Sequence, residues 1–235
     1  MKRTSLLFTL ALLACDPAFA DQADAAVIGS TPIAFPDTVD LVKSSDEAVL
    51  RFVRPTLKSG RRLLAVWIDR QERVRKDPYF PDRGRYAVSY TLAALELRDA
   101  TSSNFAQVKR AVREDIAKLH AGAEGRMPES LAELRQQLRE KGIDPDRGIS
   151  FSAAVVKPLS DTENQLSHLI LVPTRFTVQG SQDRQAWLLL CSNQLLVRRK
   201  VVTVEVFGLY LDHSDSAWVT KECNELAQSV LSANR

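Results

Sequence analysis

Four strand-length runs follow one another at 149–156, 166–178, 185–197 and 201–211. Arg198-Arg199-Lys200 is the tightest connection among them and predicts a hairpin between the last two. Strands joined by so short a turn pair antiparallel, because a parallel crossover needs a dozen or more residues. The C-terminal third is therefore committed to an antiparallel sheet, which must bury at least one face. The next segment supplies a cover. Val219, Cys223, Leu226 and Val230 recur at helical spacing within 215–233, predicting an amphipathic helix on that sheet. Pro173 has no N–H for a ladder, so it predicts a bend, an interruption or an edge position.

The N-terminal half reads as mixed. LLAVWI at 63–68 is a continuous apolar run of central-strand length. Tyr86, Val88, Tyr90 and Leu92 alternate with Ala87, Ser89, Thr91 and Ala93, a strand with one large-residue face. Phe105, Val108, Val112, Ile116 and Leu119 mark a helix over 103–120, ended by Gly122 and Gly125. Pro128 opens another, with Leu131, Leu134 and Leu138 as its stripe. Ser44-x-x-Glu47 has the form of a capping box, before a short helix stopped by Pro55. Pro78, Pro81 and Gly84 make 69–85 a loop. Strands in runs with helices set apart from them predict an α+β fold, a mainly antiparallel sheet with helices packed on it. One domain at 38–235 is expected, after an extended, partly mobile lead-in at 21–37.

The chain begins with the parts of an export leader. Lys2 and Arg3 precede the apolar run LLFTLALLA at 6–14, and Ala18-Phe19-Ala20 supplies small residues for cleavage. The run is too short to span a bilayer, which takes about 20 apolar residues. A signal peptide at 1–20 is expected, with Asp21 first in the mature chain. Leu12-Leu13-Ala14-Cys15 also has the form of a lipobox, which makes Cys15 a lipidation candidate and a tethered lipoprotein the alternative. After the leader no apolar run reaches spanning length, so membrane contact is expected only through Cys15. Cys191 and Cys223 remain after cleavage. In an oxidising compartment they can pair; the other reading is two buried thiols acting as small hydrophobes.

Composition excludes more than it assigns. A formal charge of +3 on 235 residues is too near neutral to argue for nucleic acid. No G-x-S-x-G, P-loop, G-x-G-x-x-G, H-E-x-x-H or C-x-x-C occurs, and no cofactor is expected. His120, His168 and His213 lie far apart and have no metal-ligand spacing. His120 suits a helix end, and His168 an apolar strand. Asp212-His213-Ser214-Asp215 holds an acid, a base and a hydroxyl, but sequence neighbours rarely align as a triad. Ser or Asp before a helix reads as a cap. Arg51, Arg54, Lys58, Arg61 and Arg62 form one basic group, and Arg70, Arg73, Arg75 and Lys76 another. Tyr79 and Phe80 stand between prolines, so with Arg73, Arg75 and Lys76 they are partner-binding candidates.

RLLAVWI at 62–68, RYAVSYTLAALELRDATSSNFAQVKRAV at 85–112, the late hairpin and the closing LSAN together resemble a group of uncharacterised exported bacterial proteins. Their architecture is similar to the PsbP-like α/β/α sandwich. The resemblance covers 62–234, implies a fold, and carries no catalytic residue across. The functional expectation is a periplasmic or secreted protein that binds a partner or assists an envelope complex without catalysis. The alternatives are an envelope hydrolase with a non-local Ser/His/Asp site and a carrier of a small apolar ligand.

Overall fold

The computed structural model describes residues 25–71, 84–124, 155–176 and 184–235. A small hairpin, β1 (Ala25–Ile28) and β2 (Thr31–Ala34), precedes the main sheet. The strands of that sheet are β3 (Leu41–Lys43), β4 (Arg61–Asp69), β5 (Tyr86–Leu92), β6 (Val155–Thr162), β7 (Gln165–Phe176), β8 (Arg184–Val197) and β9 (Lys200–Leu209). The order across it is β3-β4-β5-β9-β8-β7-β6, and every neighbouring pair is antiparallel. Three helices accompany it among the described residues: α1 (Glu47–Val53), α2 (Ser102–Glu124) and α3 (His213–Ala233). The fold is α+β, as the run of strands and the closing helix predict.

The two-residue turn between β8 and β9 is Arg198-Arg199, both with positive φ (45° and 63°). That twist matches the twist of the flanking strands. Lys200 does not belong to the turn. It opens β9 and is buried, its Nζ donating to the carbonyls of Glu96 and Arg98 and pairing with Asp99. Pro173 pairs with Trp187 of β8, and β7 continues through it to Phe176, so it does not interrupt the strand.

The sheet has two different faces. On one, Val202, Val204 and Val206 of β9 join Leu189 and Cys191 of β8, Leu169 of β7 and Trp67 of β4. Val219, Cys223, Leu226 and Val230 of α3 close over them, each fully buried. Burying side chains of this size contributes about 1.5–3 kcal/mol each. Cys191 and Cys223 form a disulfide inside this core, with Cα atoms 6.0 Å apart. Asn193, also buried, donates from Nδ2 to the Cys223 carbonyl at 3.2 Å. On the opposite face Val66, Val88 and Tyr90 pack against Val53, Val49 and Leu50 of α1.

Several local expectations are corrected. Part of the lead-in at 21–37 is a built element: Ile28, Ile33 and Phe35 are buried in the α3-side core. Asn234 clamps this hairpin, donating to the Ala34 carbonyl at 2.9 Å and accepting from its N–H at 2.8 Å. The first helix is capped by Asp46, whose carboxylate accepts from the Ala48 N–H at 2.8 Å; Ser44 accepts from Asp46 N–H instead. α2 runs through Gly122 to Glu124, so His120 lies inside it. The strand expected at 149–156 overlaps β6 at Val155 and Val156, and β6 continues to Thr162; the earlier part of that expectation lies outside the described residues. The helix expected after Pro128 lies outside the described residues.

Candidate functional site on the open sheet face

A row of polar side chains crosses the sheet on the face away from α3. Glu205 of β9 has Val88 of β5 on one side and Ser192 of β8 on the other, and Ser192 faces His168 of β7 across the next ladder. Strand alternation puts all three on one face, because their neighbours Val204, Cys191 and Leu169 point into the α3-side core. Tyr90 Oη donates to Glu205 Oε1 at 2.8 Å. Gln194 Nε2 donates to Ser192 Oγ at 3.2 Å. The Arg61 guanidinium lies 4.3 Å from the centre of the Tyr90 ring. Beside the row Tyr86 and Phe207, cross-strand partners, stack with centroids 4.6 Å apart.

The electrostatics of the row follow from burial. Removal from water pushes the Glu205 carboxyl above its ordinary range, against the opposing pull of the Tyr90 hydrogen bond and the Arg61 charge. Tyr90 and Tyr86 are raised by burial first and by the Glu205 charge second. His168 is lowered, again by burial first and then by the nearby Arg113 charge. His168 and Gln194 are only 7% and 8% exposed, yet among the described residues His168 Nδ1 and Gln194 Oε1 have no hydrogen-bond partner. Native proteins leave few such atoms orphaned.

This arrangement suits hydrogen bonding better than acyl transfer. Ser192 sits mid-strand with β7 and β9 on either side, so the surrounding backbone N–H groups serve the ladders. An oxyanion needs free donors aimed at one point. The basic group near α1 is divided rather than pooled. Arg54 pairs with Glu47, Arg62 with Glu96 and the Val27 carbonyl, and Arg61 covers Tyr90.

The sequence candidates fall in three places. Cys191 and Cys223 are brought together. Cys15, Arg73, Arg75, Lys76, Tyr79 and Phe80 lie outside the described residues; the last five belong to the connection between β4 and β5. That connection departs where Arg85 pairs with Asp215 at 3.0 Å and covers the Trp218 ring at 4.5 Å. Asp212 and Asp215 form a reciprocal capping box on α3, so Asp212-His213-Ser214-Asp215 is a helix start. His213 Nδ1 lies 3.4 Å from Tyr210 Oη. Glu205, Tyr90, Ser192 and Gln194 were not among the sequence candidates. Polar residues inside apolar strand runs were the available signal, but only the register aligns them.

Among the described residues no group of three or more His, Cys, Asp or Glu is placed to hold a metal ion. No described helix is long and apolar enough to cross a membrane. The fold defines a class: an α+β protein whose seven-stranded antiparallel sheet is bolted to its closing helix by a disulfide. No family model, curated protein or solved structure matches the chain.

Proposed function

We propose that this is an exported protein of the bacterial envelope that works by binding a partner rather than by catalysis. The buried Cys191–Cys223 bridge carries the export half of this reading. Disulfides form and persist in oxidising compartments, and the leader at 1–20 accounts for arrival in one. The open-face row carries the binding half: its polar groups converge without an oxyanion cradle. The connection bearing Arg73, Arg75, Lys76, Tyr79 and Phe80 lies outside the described residues and joins β4 to β5, the strand that carries Tyr86 and Tyr90. A partner engaging both would meet aromatic, basic and hydrogen-bonding chemistry together.

Expression of the full chain with fractionation tests export. The expected product is periplasmic, starts at Asp21 and carries no free thiol after unfolding. A lipid mass on Cys15 would replace the free form with a tethered one, and cytoplasmic protein with its leader intact would refute export. Replacing Tyr79 and Phe80 with Ala should weaken partner recovery from crosslinked envelopes; unchanged recovery removes the connection from the binding surface. Ester hydrolysis abolished by Ser192→Ala would instead establish the hydrolase alternative.

A further inference from the structure

Exposed apolar side chains gather at the end of the sheet where the β1–β2 hairpin meets the close of β5. Among the described residues five large apolar side chains stand out in solvent, and three of them, Val27, Leu92 and Leu97, belong to this end. Single exposed apolar residues are ordinary on a surface, whereas grouped ones mark a contact. Shared partners tie these three together. The Arg62 guanidinium donates to the Val27 carbonyl at 2.7 Å and to the carboxylate of Glu96, the residue before Leu97. Leu92 pairs across the ladder with Arg61. The hairpin turn abuts the same stretch, since a Cβ on Gly29 would lie 2.7 Å from the Glu96 carbonyl oxygen. Ala93 and Ala94, also exposed, continue the apolar surface between Leu92 and Leu97. Leu97 is 87% exposed and Val27 55%, so both side chains remain available for contact.

The rim of this surface is cationic. Its two acids are already engaged: Glu96 by Arg62, and Asp99 by buried Lys200 at 3.0 Å and by Arg199 at 3.4 Å. Arg98 adds a further exposed cation, and the Arg199 side chain is itself 69% exposed. Aliphatic side chains set in an excess of positive charge match a lipid surface with anionic headgroups, which offers acyl chains and phosphates together. The entry of the chain points the same way. Ala25 pairs with Ala34, and Asn234 holds Ala34 at this end of the sheet. Cys15 stands ten residues before Ala25, a reach of at most about 35 Å. A lipid on Cys15 would therefore lead the molecule to a bilayer with this end first. We propose that this end docks on an anionic lipid surface, with Val27 and Leu97 entering the headgroup layer and the rim pairing with phosphates. The contact is separate from the open-face row and stands whether or not that row binds a partner.

Cosedimentation with vesicles tests it, using the oxidised product of the full chain carrying Cys15→Ser, which cannot be lipidated. The vesicles are phosphatidylcholine alone and an equimolar mixture of phosphatidylcholine and phosphatidylglycerol. Binding is expected with the anionic vesicles, weaker with the neutral ones, and falling as salt rises. Leu97→Ser should weaken it about tenfold or more, the effect of losing one inserted leucine. Arg98→Ser should weaken it about fivefold, the worth of one cation near such a surface. Leu211→Ser, at the opposite end of the sheet, should leave binding unchanged. Absence of binding to the anionic vesicles overturns the proposal, as does equal binding to both kinds. Unchanged binding by the Leu97→Ser, Arg98→Ser double variant with its thermal midpoint retained overturns it too, and so does an equal loss from Leu211→Ser. Soluble polyglutamate is the third probe: binding to it and not to vesicles would assign the rim to an acidic protein and reject the membrane.

Discussion

At the scale of single residues, the most informative side chain is Glu205. Its folded pKa is raised, so the unfolded chain ionises first: the cost is absent at low pH, grows from the ordinary glutamate value up to the raised one and is level above it. Glu205→Gln removes the titration while keeping an acceptor for Tyr90. Denaturation at several pH values should show the variant gaining on the wild type from the ordinary glutamate range towards neutrality. A gap that stays constant with pH would mean that Glu205 is solvated like a surface acid. Arg199 offers a cleaner local test. Its φ of 63° suits glycine, and its side-chain ion pair with Asp99 at 3.4 Å is exposed. Exposed pairs are worth little, whereas a non-glycine residue in this region costs roughly 1–2 kcal/mol. Arg199→Gly should stabilise the fold by about 0.5–1 kcal/mol once the greater freedom of glycine in the unfolded chain is offset. Urea unfolding measures it.

At the scale of elements, the contact between α3 and the sheet dominates. Gly208 of β9 has no room for a larger residue, since an added Cβ would lie 2.8 Å from Val219 Cγ2. Gly208→Ala should cost about 1–3 kcal/mol, the usual penalty of overpacking, read as a lower thermal midpoint. The disulfide fastens the same pair of elements across a sequence separation of 32 residues. Replacing both cysteines with Ala should cost about 3–4 kcal/mol in the chain-entropy account. A loss well below that in denaturant unfolding would mean that packing alone holds α3 in place. The β1–β2 hairpin depends on its few buried side chains. Ile33 is completely buried, so Ile33→Ala should cost about 2–5 kcal/mol. Differential scanning calorimetry separates this from local fraying, which would leave the midpoint unmoved.

At the scale of the whole molecule, the parts readable in advance were those governed by local periodicity. The strands β5, β7, β8 and β9 and the helix α3 were legible because alternation and helical spacing report which side of an element meets the core. The early hairpin was missed because Pro32 and an alanine-rich start resemble a loose lead-in; what orders it is the distant Asn234, 200 residues from Ala34. The N-cap at Asp46 was missed because Ser44 and Glu47 satisfy the same sequence pattern two residues away. The alignment of Glu205, Ser192 and His168 had no local signature at all. Their separations of 13 and 24 residues say nothing until two ladders set the register. Sequence alone determined an antiparallel sheet with a covering helix, because short turns and periodic burial leave few alternatives. Tertiary structure decided which polar groups face one another, because register and packing are set by contacts between segments far apart in the chain.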